Sequence, residues 1–385
     1  MKISVITFFD NGNYGSELQS LAMNDYLKEK GHQPVFCRIT YTNRFLQAID
    51  TRLNSIRMKI YNSQNNERKI YLNDRKHNLT KQRSISSTLS SHIHSFLTSR
   101  LDMGVLSPCF ILSRHKYDAF ICGSDQIWSA LILPIRHQNY LYGIDKKRKI
   151  AYAPSMGLDV LPQYYLKHIK KYIRDFKYLS VREDVAKQVI FENYGIEAKQ
   201  VLDPTMLVGR EYWDQQLRDN SRQKPNDNYV FCYFLGEISE EVRTSVVKVA
   251  DGRKIIILPY EEDCVNVDKG CFELADPLDF VNLIKNADCV FTDSFHGCVF
   301  SILFDKQFVV TKRSHVGRVA QTSRITSLLN MFDLKGQFTS GFDNIINAIT
   351  RPIDYNIVHT LVQNQQKASR AFLNNALSEI EKSIN

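Results

Sequence analysis

The chain runs to 385 residues, with 50 Lys and Arg against 41 Asp and Glu, a net charge of +9, and 43% hydrophobic residues. That length exceeds what one hydrophobic core usually holds, so two domains are expected, each with enough apolar content to fold. No apolar run is long enough to span a membrane, and Met1 to Phe9 lacks the basic start and small-residue cleavage site of a signal peptide, so the reading is of a cytoplasmic protein.

In chain order, residues 3–9 form an apolar strand, and the loop Asp10-Asn11-Gly12-Asn13-Tyr14-Gly15 leads into a helix with Leu18, Leu21, Ala22 and Leu27 on one face. A strand at 34–39 follows. Residues 41–116 then break the pattern, being rich in Asn, Gln and Ser with weak helical periodicity. From Tyr41 to Phe120 thirteen Lys/Arg stand against five Asp/Glu, a local +8 that holds nearly the whole charge excess. The stretch reads as a basic, mostly helical insertion in the first domain, and a solvated face is its simplest account. Holding a nucleotide or diphosphate and touching an anionic membrane surface stay open. Nucleic acid ranks last, because no reading motif with interleaved aromatics is present.

Further strands are expected at 117–122, 149–153, 178–181 and 200–202, with a helix at 184–193. Six strands then make one doubly wound parallel sheet in a first domain at 1–213. The polar stretch 214–228, which contains Pro225, reads as a linker. A second domain at 229–350 is expected to hold strands at 229–235, 254–258, 289–292 and 308–311, and helices near 240–250, 278–286, 297–304 and 324–331. In the tail, 351–385, a last helix at 358–383 is expected to pack back on the first domain. The fold class is α/β, two Rossmann-like domains facing a cleft. Eight cysteines are scattered without a CxxC pair or a Cys/His cluster, so buried free thiols and no structural metal are expected.

Ligands in open α/β sheets bind beyond the carboxyl ends of the strands, which selects the site candidates. Asn13, Tyr14 and Gly15 open a helix where backbone can approach a ligand. The loop does not match GxGxxG and no acid is placed for a ribose, which disfavours a dinucleotide enzyme. Gly123, Ser124 and Asp125 follow a strand and precede Trp128 as an aromatic wall. Ser155 lies in a tight turn, and Arg182 and Glu183 end another strand; for Arg182 the competing reading is an ion pair with Glu183 or Asp203. The stretch from Val290 to Gly297 is the most telling. An apolar strand runs into Asp293, Ser294 and His296 and opens a helix whose first N–H groups suit an anion. The plain alternative makes Ser294 an N-cap and His296 a half-buried helix residue.

The order NYGSELQS, GSDQIW, AYAPSMG, LSVRE, VLDPT and TDSFHG resembles the polysaccharide pyruvyltransferase family from Lys2 to about Leu334. The resemblance implies a GT-B-like fold and an enzyme that takes phosphoenolpyruvate as donor substrate, without a cofactor, joins its pyruvyl carbon to two sugar hydroxyls as a ketal, and releases phosphate. His296, Arg182 and Asp293 are the candidate catalytic residues, with Gly297 at the helix start beside them. Many members carry Arg-x-His-Gly where Ser294 and Phe295 supply no cation, so Lys312, Arg313, Arg318 and Arg324 are the candidates to complete the phosphate clamp. Ser129 departs from the Asn that family members often carry after GSDQIW. A sugar acceptor carrying a nucleotide or lipid diphosphate is expected, in surface polysaccharide synthesis at or near the inner face of the membrane. A GT-B glycosyltransferase and a non-catalytic carrier-binding module are the rival readings.

Overall fold

The computed structural model describes residues 1–39, 87–107, 114–130, 135–222, 227–236, 238–258, 275–313 and 322–384. The first half comprises β1 (Lys2–Ile6), α1 (Tyr14–Glu29), β2 (Gln33–Ile39), α2 (Ser87–Thr98), β3 (Met103–Leu106), β4 (Ala119–Cys122), β5 (Lys149–Ala151), α3 (Gln163–Ile173), β6 (Tyr178–Val181), α4 (Asp184–Tyr194), β7 (Lys199–Gln200), α5 (Pro204–Val208) and α6 (Arg210–Asp219). Its seven strands lie in the order β3-β2-β1-β4-β5-β6-β7, each pairing parallel. The second half comprises β8 (Tyr229–Tyr233), α7 (Glu240–Ala250), β9 (Lys254–Leu258), α8 (Pro277–Asn286), β10 (Cys289–Thr292), α9 (Phe295–Leu303), β11 (Gln307–Thr311), α10 (Ser323–Met331), β12 (Phe338–Thr339), α11 (Phe342–Thr350) and α12 (Tyr355–Ile384). Its five strands run β12-β11-β10-β8-β9, again all parallel.

The central strands β4, β6, β8 and β10 are buried at every position. This is why they read as unbroken apolar runs: a parallel sheet is covered by helices on both faces, so alternation disappears. Sequence reversals fall between β1 and β4 in one sheet and between β8 and β10 in the other. The loops after these four strands therefore flank the two crevices where such sheets bind ligands.

Four elements differ from the sequence reading. The stretch expected as a linker at 214–228 begins inside α6, which runs on to Asp219 and buries Leu217. The strand expected at 3–9 stops at Ile6, and Thr7 to Asn13 turn into loop. The region taken as a basic insertion at 41–116 contains α2 and also β3, an edge strand paired with β2. Met-Gly-Val-Leu is too short and too exposed to announce itself. Residues 40–86, which carry most of the basic excess, lie outside the described residues. The two-residue strand β12 extends the second sheet, below the length at which a period can be read.

The two halves share one core. Tyr14 stacks on Phe280 at 5.3 Å and lies 5.9 Å from Tyr233, while its hydroxyl donates to the Ala275 carbonyl at 3.0 Å. Helix α12 lies against first-half elements: Leu202 N–H donates to Ser369 Oγ, and Gln366 and Arg370 donate to the Met206 and Leu207 carbonyls at the end of α5. Cys37, Cys122, Cys232, Cys289 and Cys298 are free and buried; Cys109, Cys264 and Cys271 lie outside the described residues.

Candidate active site

The first sheet delivers a carboxylate hub. Asp203 precedes Pro204, whose fixed φ starts α5, and its side chain caps that helix by accepting from Thr205 N at 3.1 Å. The same carboxylate accepts from Thr205 Oγ1 at 2.7 Å, Ser124 Oγ at 2.8 Å and Arg182 Nη1 at 2.9 Å. Burial works to raise the Asp203 pKa. The His296 contact, the Arg182 charge and the Thr205 hydrogen bond override it and hold the carboxyl well below the usual range. Gly123 has φ +104°, and a Cβ there would sit 2.1 Å from the Tyr152 carbonyl, so only glycine fits the turn that presents Ser124 and Asp125. Asp125 accepts from Ser16 Oγ at 2.6 Å and has its other oxygen 3.9 Å from Arg182 Nη2.

The second sheet delivers the histidine. Ser294 caps α9 by accepting from Gly297 N–H at 3.4 Å, and a side chain on Gly297 would collide with Thr292, so the turn closes tightly. His296 in the first turn is 6% exposed. Its Nε2 lies 3.6 Å from Asp203 Oδ1, an ion-pair distance beyond hydrogen-bond range, and is a buried nitrogen without a hydrogen-bond partner. The opposite edge of the ring faces Gly15, so the helix starts of α1 and α9 meet at this imidazole.

Cations surround the same point. Arg182 is 4% exposed, with its guanidinium 4.2 Å above the Phe295 ring, and its Nε and Nη2 have no hydrogen-bond partner. Arg324, 8% exposed, also has an unpartnered Nε. Burial, and then the charges of Arg182 and Arg313, push the Arg324 pKa down to about 10, with Asp125 and Glu183 acting against the shift. First-half residues place Arg324: Asp159 accepts from Thr322 Oγ1 and Ser323 N at the head of α10, and Ser327 Oγ accepts from Asp184 N and Gln200 Nε2, both at 3.0 Å. Buried guanidinium groups with unused donors are costly unless an anion meets them. Among the described residues no group of three or more His, Cys, Asp or Glu could hold a metal ion, and no described helix is long and apolar enough to cross a membrane.

The sequence profile of the family described as polysaccharide pyruvyl transferase matches residues 13–315. The chain belongs to that family. No curated protein matches the sequence. A solved structure of UDP-N-acetylglucosamine 2-epimerase is similar in fold, with a TM-score of 0.51 at 11% identity over 98% of this chain and 95% of that one. UDP-GlcNAc 2-epimerase from Neisseria meningitidis bound to UDP-GlcNAc gives 0.49 at 12% identity, over 97% and 100% of the two chains. The wall teichoic acid polymerase TagF gives 0.45 at 10%, over 100% and 90%. The fold is GT-B-like, and membership makes this chain a transferase of the pyruvyltransferase kind.

The structure brings Arg182, Ser124, Asp125, Gly15, His296 and Arg324 together. The expected competing pair of Arg182 with Asp203 is present, and the same hub carries the histidine. Several other candidates in this pyruvyltransferase are spent on the framework. Asp293, chosen as catalytic, accepts from Leu235 N at 2.7 Å, Gly236 N at 2.8 Å and Arg313 Nε at 3.1 Å, which ties together the crevice loops of the second sheet and occupies both carboxylate oxygens. Tyr14 is core, its hydroxyl bound to Ala275, and Asn13 caps α1 by accepting from Gly15 N at 3.0 Å. Ser155 donates to Glu183 Oε1, which also accepts from Gly157 N at 3.1 Å, while the buried Oε2 of Glu183 has no hydrogen-bond partner. Lys312 is exposed and lines a small cavity with Asp293 and Ser340. Arg318 lies outside the described residues.

The sequence reading passed over Glu17 and took Asp203 only as a competing ion-pair partner of Arg182. Asp203 was readable from Asp-Pro at a helix start. Glu17 stood in the first turn of α1, and its carboxylate gathers the N–H groups of Asp10, Asn11 and Gly12 at 2.7, 2.9 and 3.1 Å. Burial raises its pKa to about 7 against the lowering effect of those N–H groups.

Proposed function

We propose that this transferase uses phosphoenolpyruvate and builds a pyruvyl ketal on a sugar during surface polysaccharide synthesis. The observation that carries the reading is the pair of buried guanidinium groups, Arg182 and Arg324, with unpartnered nitrogens beside a buried histidine. Phosphoenolpyruvate brings a phosphate and a carboxylate on one three-carbon frame, which suits two guanidinium forks better than one. The starts of α1 and α9, the positive ends of their helix dipoles, meet at the same point and favour an anion there. Arg324 takes the place of the arginine that many family members carry two residues before the histidine, since Ser294 is uncharged.

The chemistry follows from the charge layout. A proton is delivered to the methylene carbon, positive character grows at the adjacent carbon, and one sugar hydroxyl adds there as its proton leaves. The second hydroxyl then displaces phosphate, so a diol and phosphoenolpyruvate become a ketal and inorganic phosphate. His296 is the proton carrier, and Asp125, with an oxygen not taken by Ser16, accepts from the acceptor hydroxyl. The acceptor is a sugar attached to a nucleotide or lipid diphosphate, met on the cytoplasmic side of the membrane. No cofactor takes part in this scheme.

Calorimetric titration with phosphoenolpyruvate tests the reading, with uridine diphosphate titrated separately and then together with phosphoenolpyruvate. Wild-type binding that Arg324→Gln loses supports it. Binding of the nucleotide alone, with phosphoenolpyruvate inert even in its presence, overturns it in favour of a nucleotide-sugar glycosyltransferase. Arg324 is the better probe than Arg182, whose removal would leave Asp203 buried without its guanidinium.

A further inference from the structure

The imidazole of His296 belongs to the second half of the chain, yet the atoms on its two nitrogen edges belong to the first. Nε2 points at Asp203 Oδ1 across 3.6 Å, and Nδ1 faces Gly15. Asp203 is fully buried, and its oxygens also receive Arg182, Ser124 and two Thr205 donors. One carboxylate therefore touches both an arginine of the proposed anion clamp and the histidine that stands beside it. Nε2 is buried and has no hydrogen-bond partner, so its proton is open to Asp203.

We infer that Asp203 is a positioning residue: it takes the Nε2 proton of His296 in a hydrogen bond when the two halves close by about half an ångström, and so leaves Nδ1, beside the start of α1, as the nitrogen that exchanges protons. The inference rests on the pyruvyltransferase reading for its kinetic consequence, but not for its spectroscopic one. Three features make Asp203 suitable. Its carboxyl is held ionised by its surroundings, its orientation is fixed by the Thr205 and Ser124 donors, and it sits on the helix cap that follows β7, a rigid point of the first sheet. A carboxylate in that position fixes the tautomer of the ring, and with it which nitrogen is left to exchange a proton. Because the pair spans both halves, the site is complete only when they are closed. Opening the cleft would disconnect the histidine from its carboxylate while leaving the Arg182 pair intact.

The test is nitrogen-15 NMR of histidine-labelled full-length protein, with the His296 signals assigned by comparison with His296→Gln. Raising the pH until the ring is neutral should show the proton on Nε2 and a bare Nδ1. In Asp203→Asn the two tautomers should mix, and phosphate release from phosphoenolpyruvate in the presence of acceptor should fall about 100-fold. A neutral ring protonated at Nδ1 in the wild type overturns the inference, and so does an Asp203→Asn spectrum identical to the wild type. Should Asp203→Asn fail to fold, the wild-type tautomer decides by itself, and Thr205→Val, which loosens Asp203 while retaining its charge, should broaden the same Nε2 signal. Absence of any phosphoenolpyruvate turnover would count against the proposed function and leave the tautomer result to judge Asp203.

Discussion

The His296 ring stands where a side chain on Gly15 would have to go: a Cβ built on that glycine would lie 1.9 Å from Nδ1. Helix α1 of the first half thus has a bare backbone face against which the second half's histidine is pressed.

Gly15→Ala should therefore push the ring away or hold the halves apart. Overpacking at such a contact costs about 1–3 kcal/mol, and denaturant unfolding should register that loss. Phosphate release should fall further than the stability change explains, because the histidine is displaced from Asp203. A variant with wild-type stability and turnover would show that the ring has room to move.

Arg324 separates binding from stability. Its Nε has no partner, and burial with the neighbouring Arg182 and Arg313 charges already disfavours its cationic form. Arg324→Gln should leave the melting temperature unchanged or raised in the absence of ligand, while weakening phosphoenolpyruvate at least about tenfold, near 1.4 kcal/mol. Loss of stability together with unchanged binding would place Arg324 in the framework.

Asp293 should behave in the opposite way. Its oxygens serve two backbone N–H groups and Arg313, so Asp293→Ala strands buried donors at about 1–3 kcal/mol. Thermal unfolding should show the loss. By contrast His296→Ala should keep phosphoenolpyruvate binding within a few-fold and reduce turnover about 100-fold or more. Calorimetry beside kinetics distinguishes the two outcomes, and a stable, slow Asp293→Ala would reinstate it as a catalytic candidate.

Glu17 carries a pH signature. Its pKa is raised from 4.5 to about 7, so the folded chain holds a proton there that the unfolded chain has lost between those values. The stabilising contribution is present at low pH and is lost as the pH rises through about 7, amounting to about 3 kcal/mol at most. Unfolding free energies of wild type and Glu17→Gln, compared from pH 4.5 to 8, should move in favour of Gln as the pH climbs. A constant difference would mean that the N–H groups of the 10–12 loop fully offset burial.

The central strands and the order of helices were legible because burial on both faces leaves long apolar runs, which periodicity can find. Tyr178 to Val181 and Glu240 to Ala250 have the expected bounds. Short edge strands were not legible: β3 and β12 owe their state to the neighbour they pair with. At the site, His296, Arg182, Ser124 and Asp125 announced themselves by standing at strand ends. Asp293 stood there too, yet its oxygens went to Leu235 and Gly236, residues 58 and 57 positions away, a partnership no local pattern contains.

The sequence by itself determined the α/β class, the family and the identity of the residues at the crevices, because those follow from local periodicity and from motifs fixed in order along the chain. The tertiary structure alone decided which of those residues keep an unused donor. That choice depends on which groups from distant segments reach each oxygen and nitrogen first. Asp203 thereby became the point joining Arg182 to His296, Arg324 was left buried with an unpartnered nitrogen, Asp293 was tied to the crevice loops of the second sheet, and Tyr14 went into the core.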